Sequence, residues 1–407
     1  MMPSRRISIG VSSQATQSII NFTPALVANR VLSVSDLGQF ALFFGAYLTI
    51  ANALRALLAE PVLLIPREQV PTFADRAIRM LASASGFLLV LGVIGAIVQL
   101  PRPFLMFTMA ASAAGGMAVR EVIRSRAIVG DRVGWSVAGD GAVLMALVGV
   151  WAGIARFGDS LEAVGVGMIA VVWIGALGGA AQTIMTVRPR HVRSWVDGLI
   201  RAEHLQAGFE ALAGRLGILF TILGLYYQLG DSAVGLYEVA RLGMSPVGVL
   251  LIATTLVLLR DMSQATSADR TRWIITVGVL LHGVVLVWAL LLVAEERALN
   301  LVLAGNSDLF RTVGVRAFVI SLLTASHFAG RLVVKGMRRG DLLLKMGLVG
   351  SALAAIAANV FVASGISRSA VDAMIVWAAV VSVGWLAVAS ISLAQNRRWR
   401  LSPMVSS

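Results

Sequence analysis

LGQFALFFGAYLTIANALRALLAEPVLLIP, running from Leu37 to Pro66, decides the class of this chain. From Leu37 to Ile65 it supplies about 29 residues, or about 43 Å of helix at 1.5 Å per residue, enough to cross a bilayer with tilt. An arginine sits inside it. Arg55 lies about 6 Å from the midpoint, where a guanidinium costs on the order of 3 kcal/mol on insertion scales. Such a group is expected to face protein, water or an anionic partner, and that makes Arg55 a candidate functional residue. Glu60 is five residues on, about 140° round the helix, so an ion pair within the helix is not expected there. Asn52, three residues earlier, shares the face of Arg55.

Working outward, the whole composition agrees with this stretch. Hydrophobic residues make up 58% of the 407, charged residues only 14%, and mean hydropathy is +0.84. These values lie far outside the soluble globular range and define a polytopic membrane protein, with the lipid bilayer as its first partner. The net charge of +13 raises nucleic acid as a partner. Basic patches interleaved with aromatic residues are missing, however, and the arginines fall mostly between apolar stretches, so nucleic acid is excluded as the partner class. With no cysteine there is neither a disulfide framework nor a Cys-based metal site. Arg5 and Arg6 precede an apolar stretch holding Gln14, Gln17 and Asn21 without a convincing cleavage site, which reads as a retained first span.

About twelve segments are long enough to span, separated by short polar breaks, and they predict an all-α fold in two six-helix lobes. The first six run from Ile9 to Val31, Leu37 to Ile65, Ala77 to Leu100, Pro103 to Ile128, Val133 to Ile154 and Ala163 to Val187. The second six run from Leu205 to Leu229, Val234 to Leu259, Trp273 to Ala294, Leu309 to Val334, Leu342 to Ser364 and Ala370 to Ala394. Between them lies RPRHVRSWVDGLIRAEH, the longest charged interruption. The expected division is therefore a first lobe over 1–187, a basic cytoplasmic connector over 188–204, a second lobe over 205–395 and a cytoplasmic tail over 396–407.

With both termini cytoplasmic, about 24 of the 34 Lys and Arg residues fall on the inside, as the positive-inside rule demands. That group includes Arg76, Arg79, Arg120, Arg124, Arg126, Arg188, Arg190, Arg338 and Arg339. The alternation is weakest between Glu295 and Arg316, where the tenth span starts indistinctly. SDLGQFAL opens the second span and DSAVGLYEV the eighth, a faint echo between halves that places a substrate path between repeats.

Ionisable residues within spans are the remaining site candidates: Asp140, Glu210, Arg215, Glu238 and Arg241, with Asp372 near an outside end. Glu238 and Arg241 are three apart and can pair on one face, neutralising each other. Arg55 and Arg215 have two open readings, an interhelical ion pair with Asp140 or Glu210, or binding of an anionic substrate. Gly165, Gly167 and Ala170 in GVGMIA satisfy a loose dinucleotide pattern but lie inside an apolar span with no preceding strand, so close helix packing is the better reading. His191, His204, His282 and His327 show no metal-ligand spacing. Neither a cofactor, a metal nor an enzymatic reaction is expected.

The chain resembles the polysaccharide-exporting (Wzx-like) branch of the multidrug/oligosaccharidyl-lipid/polysaccharide (MOP) exporter superfamily. The resemblance is carried by Gln14 and Asn21 in the first span, SVSDLGQFAL from Ser33 to Leu42, RALLAEP from Arg55 to Pro61, VGLYEVARLGMSPVGVLL from Val234 to Leu251, and LVLAGNSDLF from Leu301 to Phe310. It implies a MATE-like fold, a bacterial inner-membrane flippase, and alternating access for a lipid-linked oligosaccharide. Such a substrate carries a diphosphate, which suits arginines because guanidinium matches phosphate oxygens bidentately. Candidate substrate-binding residues are thus Arg55, Asn52, Arg215 and Arg241; candidate ion-coupling residues are Asp140, Glu210 and Glu238. Glycan-assembly proteins are the implied protein partners. Two other classes stay open: a cation-coupled multidrug exporter of the same superfamily, and a membrane-embedded glycan polymerase or lipid-dependent glycosyltransferase.

Overall fold

The computed structural model describes residues 23–59, 62, 68–129, 141, 143–153, 160–184, 202–248, 251, 267–295, 297, 300, 303, 306–336 and 340–401. Among these residues every regular element is helical and no strand occurs. The helices are α1 (23–31), α2 (Val34–Leu54), α3 (Val70–Ile97), α4 (Arg102–Val129), α5 (Val143–Gly153), α6 (Leu161–Ile184), α7 (Ala202–Leu229), α8 (Asp231–Gly243), α9 (Ser267–Ala294), α10 (Ser307–Gly336), α11 (Gly340–Lys345), α12 (Ser351–Ala363) and α13 (Ala370–Leu401). Six described helical stretches are long and apolar enough to cross a membrane: Val34–Ala59, Val70–Ile97, Leu212–Leu229, Ser307–Val334, Asp341–Ala363 and Ala370–Ala394. Their outward faces carry large apolar side chains such as Ile97, Val315 and Val383, as lipid contact requires.

Two compact units divide the chain, Met1–Leu219 and Phe220–Ser407, with the division falling inside α7. In the first, α4 is the central helix and packs against α2, α3 and α6. The run Ala110, Ala111, Ser112, Ala113, Ala114, Gly115, Gly116 explains why: small side chains let three neighbours approach at once, and this stretch is buried throughout. Glycine is needed at Gly116, where an added Cβ would meet Val172 at 2.9 Å. The α3–α4 pair is antiparallel, Ser85 lying against Gly115 and Thr108 against Gly92. Its turn closes with Leu100 N–H donating to Gly95 O (2.8 Å) and Gln99 N–H to Ala96 O (3.3 Å), with Gln99 left-handed at φ 54°. This is the Schellman arrangement, and Pro101 follows where the helix can no longer continue.

In the second unit α10 takes the central place, packing on α8, α9 and α13. The α10–α13 seam is tight at Gly330, where an added Cβ would lie 2.9 Å from the backbone carbonyl of Trp385. Ser382 Oγ seals the same seam, within 2.5 Å of Leu323 O and 2.6 Å of Ala378 O.

Three expectations change in detail. The second span is not one uniform helix, because α2 passes into a π turn at Arg55–Ala59. Pro61 can offer no N–H to the preceding turn, and a widened turn is one way for a helix to absorb that loss. The eighth span, expected from Val234 to Leu259, is interrupted at Met244 just before Pro246, and Ser245 Oγ takes up the Arg241 carbonyl at 2.9 Å. Arg120 and Arg124, expected among the solvated inside charges, are only 5% and 8% exposed within α4.

Candidate functional site

Arg55 is the first residue of the π turn, and its amide donates to both Ala51 O and Asn52 O as the helix changes pitch. The turn is pinned from below. Leu58, Ala59 and Val62 pack into one apolar cluster with Val70, Phe73, Ala74 and Ala77 of α3 and with Ala118, Val119 and Val122 of α4. The half-buried Arg55 thus begins a turn that is anchored in packed apolar side chains. Asn52 is half-buried on the turn above and uses one amide hydrogen on its own helix, Nδ2 donating to Leu48 O at 2.6 Å.

The facing stretch of α4 carries Arg120, Glu121 and Arg124, all buried. Arg124 Nη1 lies 3.5 Å from Glu121 Oε2, and Arg120 Nη1 approaches Met117 Sδ at 3.8 Å. The side chain of Arg120 thus points back along its helix, as helical geometry favours. Tyr47 of α2, 3% exposed, is close enough to Arg120 and Glu121 to feel both charges. It ends an aromatic ladder of Phe40, Phe44 and Tyr47, with ring centroids 5.3 and 5.6 Å apart.

The π turn that begins at Arg55 packs directly on α4, where Leu58, Ala59 and Val62 share their apolar cluster with Ala118, Val119 and Val122, in the stretch of α4 that also carries Arg120 and Arg124. Sequence reasoning missed the two α4 arginines because it counted them as inside-loop charge. The available signal was the tract of small residues just before them, which predicts a helix enclosed on several sides.

Arg215 also belongs to the first unit, half-buried on α7. An added Cβ at Gly45 would lie 3.3 Å from Leu219 Cδ1, so this part of α7 runs beside α2. Glu238 and Arg241 belong to the second unit. They form the expected pair: Arg241 Nε donates to Glu238 Oε2 at 2.7 Å and Nη2 donates to Oε1, a two-point clasp. The Glu238 side chain is 2% exposed and that of Arg241 32%. Asp140 lies outside the described residues, as do Glu60 and Pro61; Glu210 is placed only as a backbone position on α7. Among the described residues no group of three or more His, Cys, Asp or Glu side chains is arranged to hold a metal ion.

No family model matches the sequence, and no curated relative aligns with it. Solved structures do match, end to end. An inward-facing multidrug-resistance MATE transporter of the MOP superfamily superposes with a TM-score of 0.69 at 11% identity, over 96% of this chain and 99% of that one. A eukaryotic MATE transporter gives 0.59 at 13% identity, over 98% of each. A MOP superfamily transporter from Pyrococcus furiosus, described as having a binding pocket of reversed polarity that suggests a different function, gives 0.58 at 12% identity, over 98% of this chain and 97% of that one. The chain has the all-helical MATE-transporter fold along its whole length.

Proposed function

We propose that this chain is a membrane transporter that flips an anionic, lipid-linked oligosaccharide from the cytoplasmic to the outer leaflet of a bacterial inner membrane by alternating access, with both termini cytoplasmic. The observation that carries it is the packing of the π turn that begins at Arg55 against the stretch of α4 that holds the buried Arg120 and Arg124, which puts three arginines on two packed helices of one unit. Guanidinium groups bind diphosphate oxygens in a fork that ammonium groups cannot copy. Arg55 is the most exposed of the three and the one set on a π turn, so it is assigned the first contact with the substrate diphosphate. Asn52 sits beside it to meet a neighbouring sugar or phosphate oxygen. The Pyrococcus furiosus structure supports this choice by analogy, since it is a MOP-fold transporter described as having reversed pocket polarity.

Arg215 is proposed as a second anion contact in the same unit, and Asp140, Glu210 and Glu238 as carboxylates that respond to a coupling ion. Arg241 is committed to Glu238 and plays a weaker part in substrate contact. The proposed lobes are 1–187 and 205–395, joined by the basic connector, with glycan-assembly proteins as partners. The test is translocation of fluorescent lipid-linked oligosaccharide by purified protein in liposomes. One second reading has its own support: the MATE structures of the same fold include multidrug-resistance transporters, which favours a cation-coupled multidrug exporter. Drug-dye efflux that depends on a cation gradient, without any glycan-lipid flipping, would select it.

A further inference from the structure

A single histidine stands near the middle of α9, half-buried between Leu281 and Val285, which are fully buried. His282 Nδ1 lies 2.7 Å from Gly278 O, one turn back on the same helix. A carbonyl oxygen can only accept, so Nδ1 carries a hydrogen in every state of the ring. The other nitrogen, Nε2, lies 3.0 Å from Ser326 Oγ on α10, and that hydroxyl in turn lies 3.2 Å from Leu322 O.

We propose that His282 and Ser326 form an intramembrane proton-binding site in which the hydrogen bonds are complete whether the imidazole is neutral or charged. In the neutral ring, Ser326 turns its O–H toward Nε2 and donates to it. When a proton from water adds to Nε2, the new N–H donates to Ser326 Oγ, and the hydroxyl hydrogen swings to Leu322 O. One rotation of one O–H bond converts the two patterns, and neither leaves an orphaned donor. A purely structural bridge between α9 and α10 needs only the first pattern. The second acceptor behind the serine is what lets the site hold an added proton.

The surroundings set how firmly that proton is held. On α9 itself no other titratable side chain lies between Arg272 and Glu295. On α10 the nearest such groups in sequence are His327, stacked on Trp385 at 5.9 Å, and Arg331. Trp288 Nε1 donates to Gly243 O at 2.9 Å, about 9 Å further along α9, and so brings α8 alongside. The charges α8 brings, Glu238 and Arg241, are bonded to each other. Among the described residues no carboxylate is bonded to His282, so the charged ring rests on two oxygen acceptors. That suits a proton that must also leave. With Nδ1 committed and no neighbouring ligand among the described residues, the site does not suit a metal ion.

Use of this proton to drive export rests on the transporter proposed above; the site itself does not. The decisive experiment is nitrogen-15 NMR of histidine-labelled full-length protein in lipid nanodiscs, with His282→Gln used to assign the signal. The expected result is an Nδ1-protonated neutral ring that converts reversibly to the doubly protonated form as the pH is lowered. Ser326→Ala, which removes the acceptor of the charged form, should move that conversion to lower pH. An imidazole that keeps one neutral form across the range, or a Ser326→Ala midpoint that does not move, overturns the site. In liposomes an inward-directed pH gradient should speed glycan-lipid flipping by the unmodified protein and leave His282→Gln at its basal rate. Titration of His282 together with gradient-insensitive flipping would overturn the coupling. Titration with no flipping at all would bring down the transport proposal and leave the proton site standing.

Discussion

Arg126 of α4 reaches Asp75 of α3, Nη1 to Oδ1 at 2.6 Å, across 51 residues of sequence. The pair lies at the end of the α3–α4 hairpin where the π turn of Arg55 packs, and its side chains are 15% and 25% exposed. Hydrogen bonds to charged groups contribute about 1.5–3 kcal/mol when partly shielded. Asp75→Ala and Arg126→Ala should each lower the melting temperature of the purified protein, and the double variant should melt close to either single one. A double-mutant cycle read by thermal unfolding in detergent checks this; strictly additive losses would mean that the contact contributes nothing of its own.

Gly330 governs the main seam of the second unit. Any side chain there meets the backbone of Trp385, which cannot move aside as a side-chain tip could. Gly330→Ala should cost about 1–3 kcal/mol through overpacking and reduce the yield of folded protein. Gly283→Ala on α9, where an added Cβ meets nothing within 4 Å, is the matched control and should leave yield unchanged.

Glu238 and Arg241 should behave as a unit in folding. Because Glu238 is almost fully enclosed, Arg241→Ala leaves a buried carboxylate without its clasp and should lower yield by the equivalent of about 3–5 kcal/mol. Adding Glu238→Gln to Arg241→Ala should restore most of it. Normal yield with lost transport in Arg241→Ala would instead assign that arginine to substrate.

Much of this architecture could be read from the chain. Apolar length and the basic breaks marked the helices, and Glu238 with Arg241 at a spacing of three announced their clasp. What escaped was whatever depends on a neighbour. The burial of Arg120 and Arg124 follows from helices packed on Ala110–Gly116 and cannot be seen by counting charges per loop. The π turn at Arg55 and the break at Met244 are local departures from a repeating ladder, and hydropathy averages over them. His282 shows no metal-ligand spacing in the sequence, and Ser326 lies 44 residues away, so no spacing rule joins them.

The charge distribution also predicts an orientation. Tags at Arg190, at Arg338 and at the C-terminus should be reached only from the cytoplasm, and tags near Asp231 and Gly365 only from outside. Impermeant thiol labelling of single cysteines in intact cells and in inverted vesicles measures this directly, on a background that has no cysteine of its own. Opposite sides for Arg190 and the C-terminus would require an odd number of spans between them and would break the two-lobe layout.

The role of Arg55 is most directly tested by the flipping rate of fluorescent lipid-linked oligosaccharide in liposomes holding equal amounts of unmodified, Arg55→Ala and Arg55→Lys protein. If Arg55 meets the substrate diphosphate, Arg55→Ala should fall to the protein-free rate while keeping normal yield and melting temperature. Arg55→Lys should recover only part of the activity, because an ammonium lacks the guanidinium fork. Full flipping by well-folded Arg55→Ala would contradict the assignment.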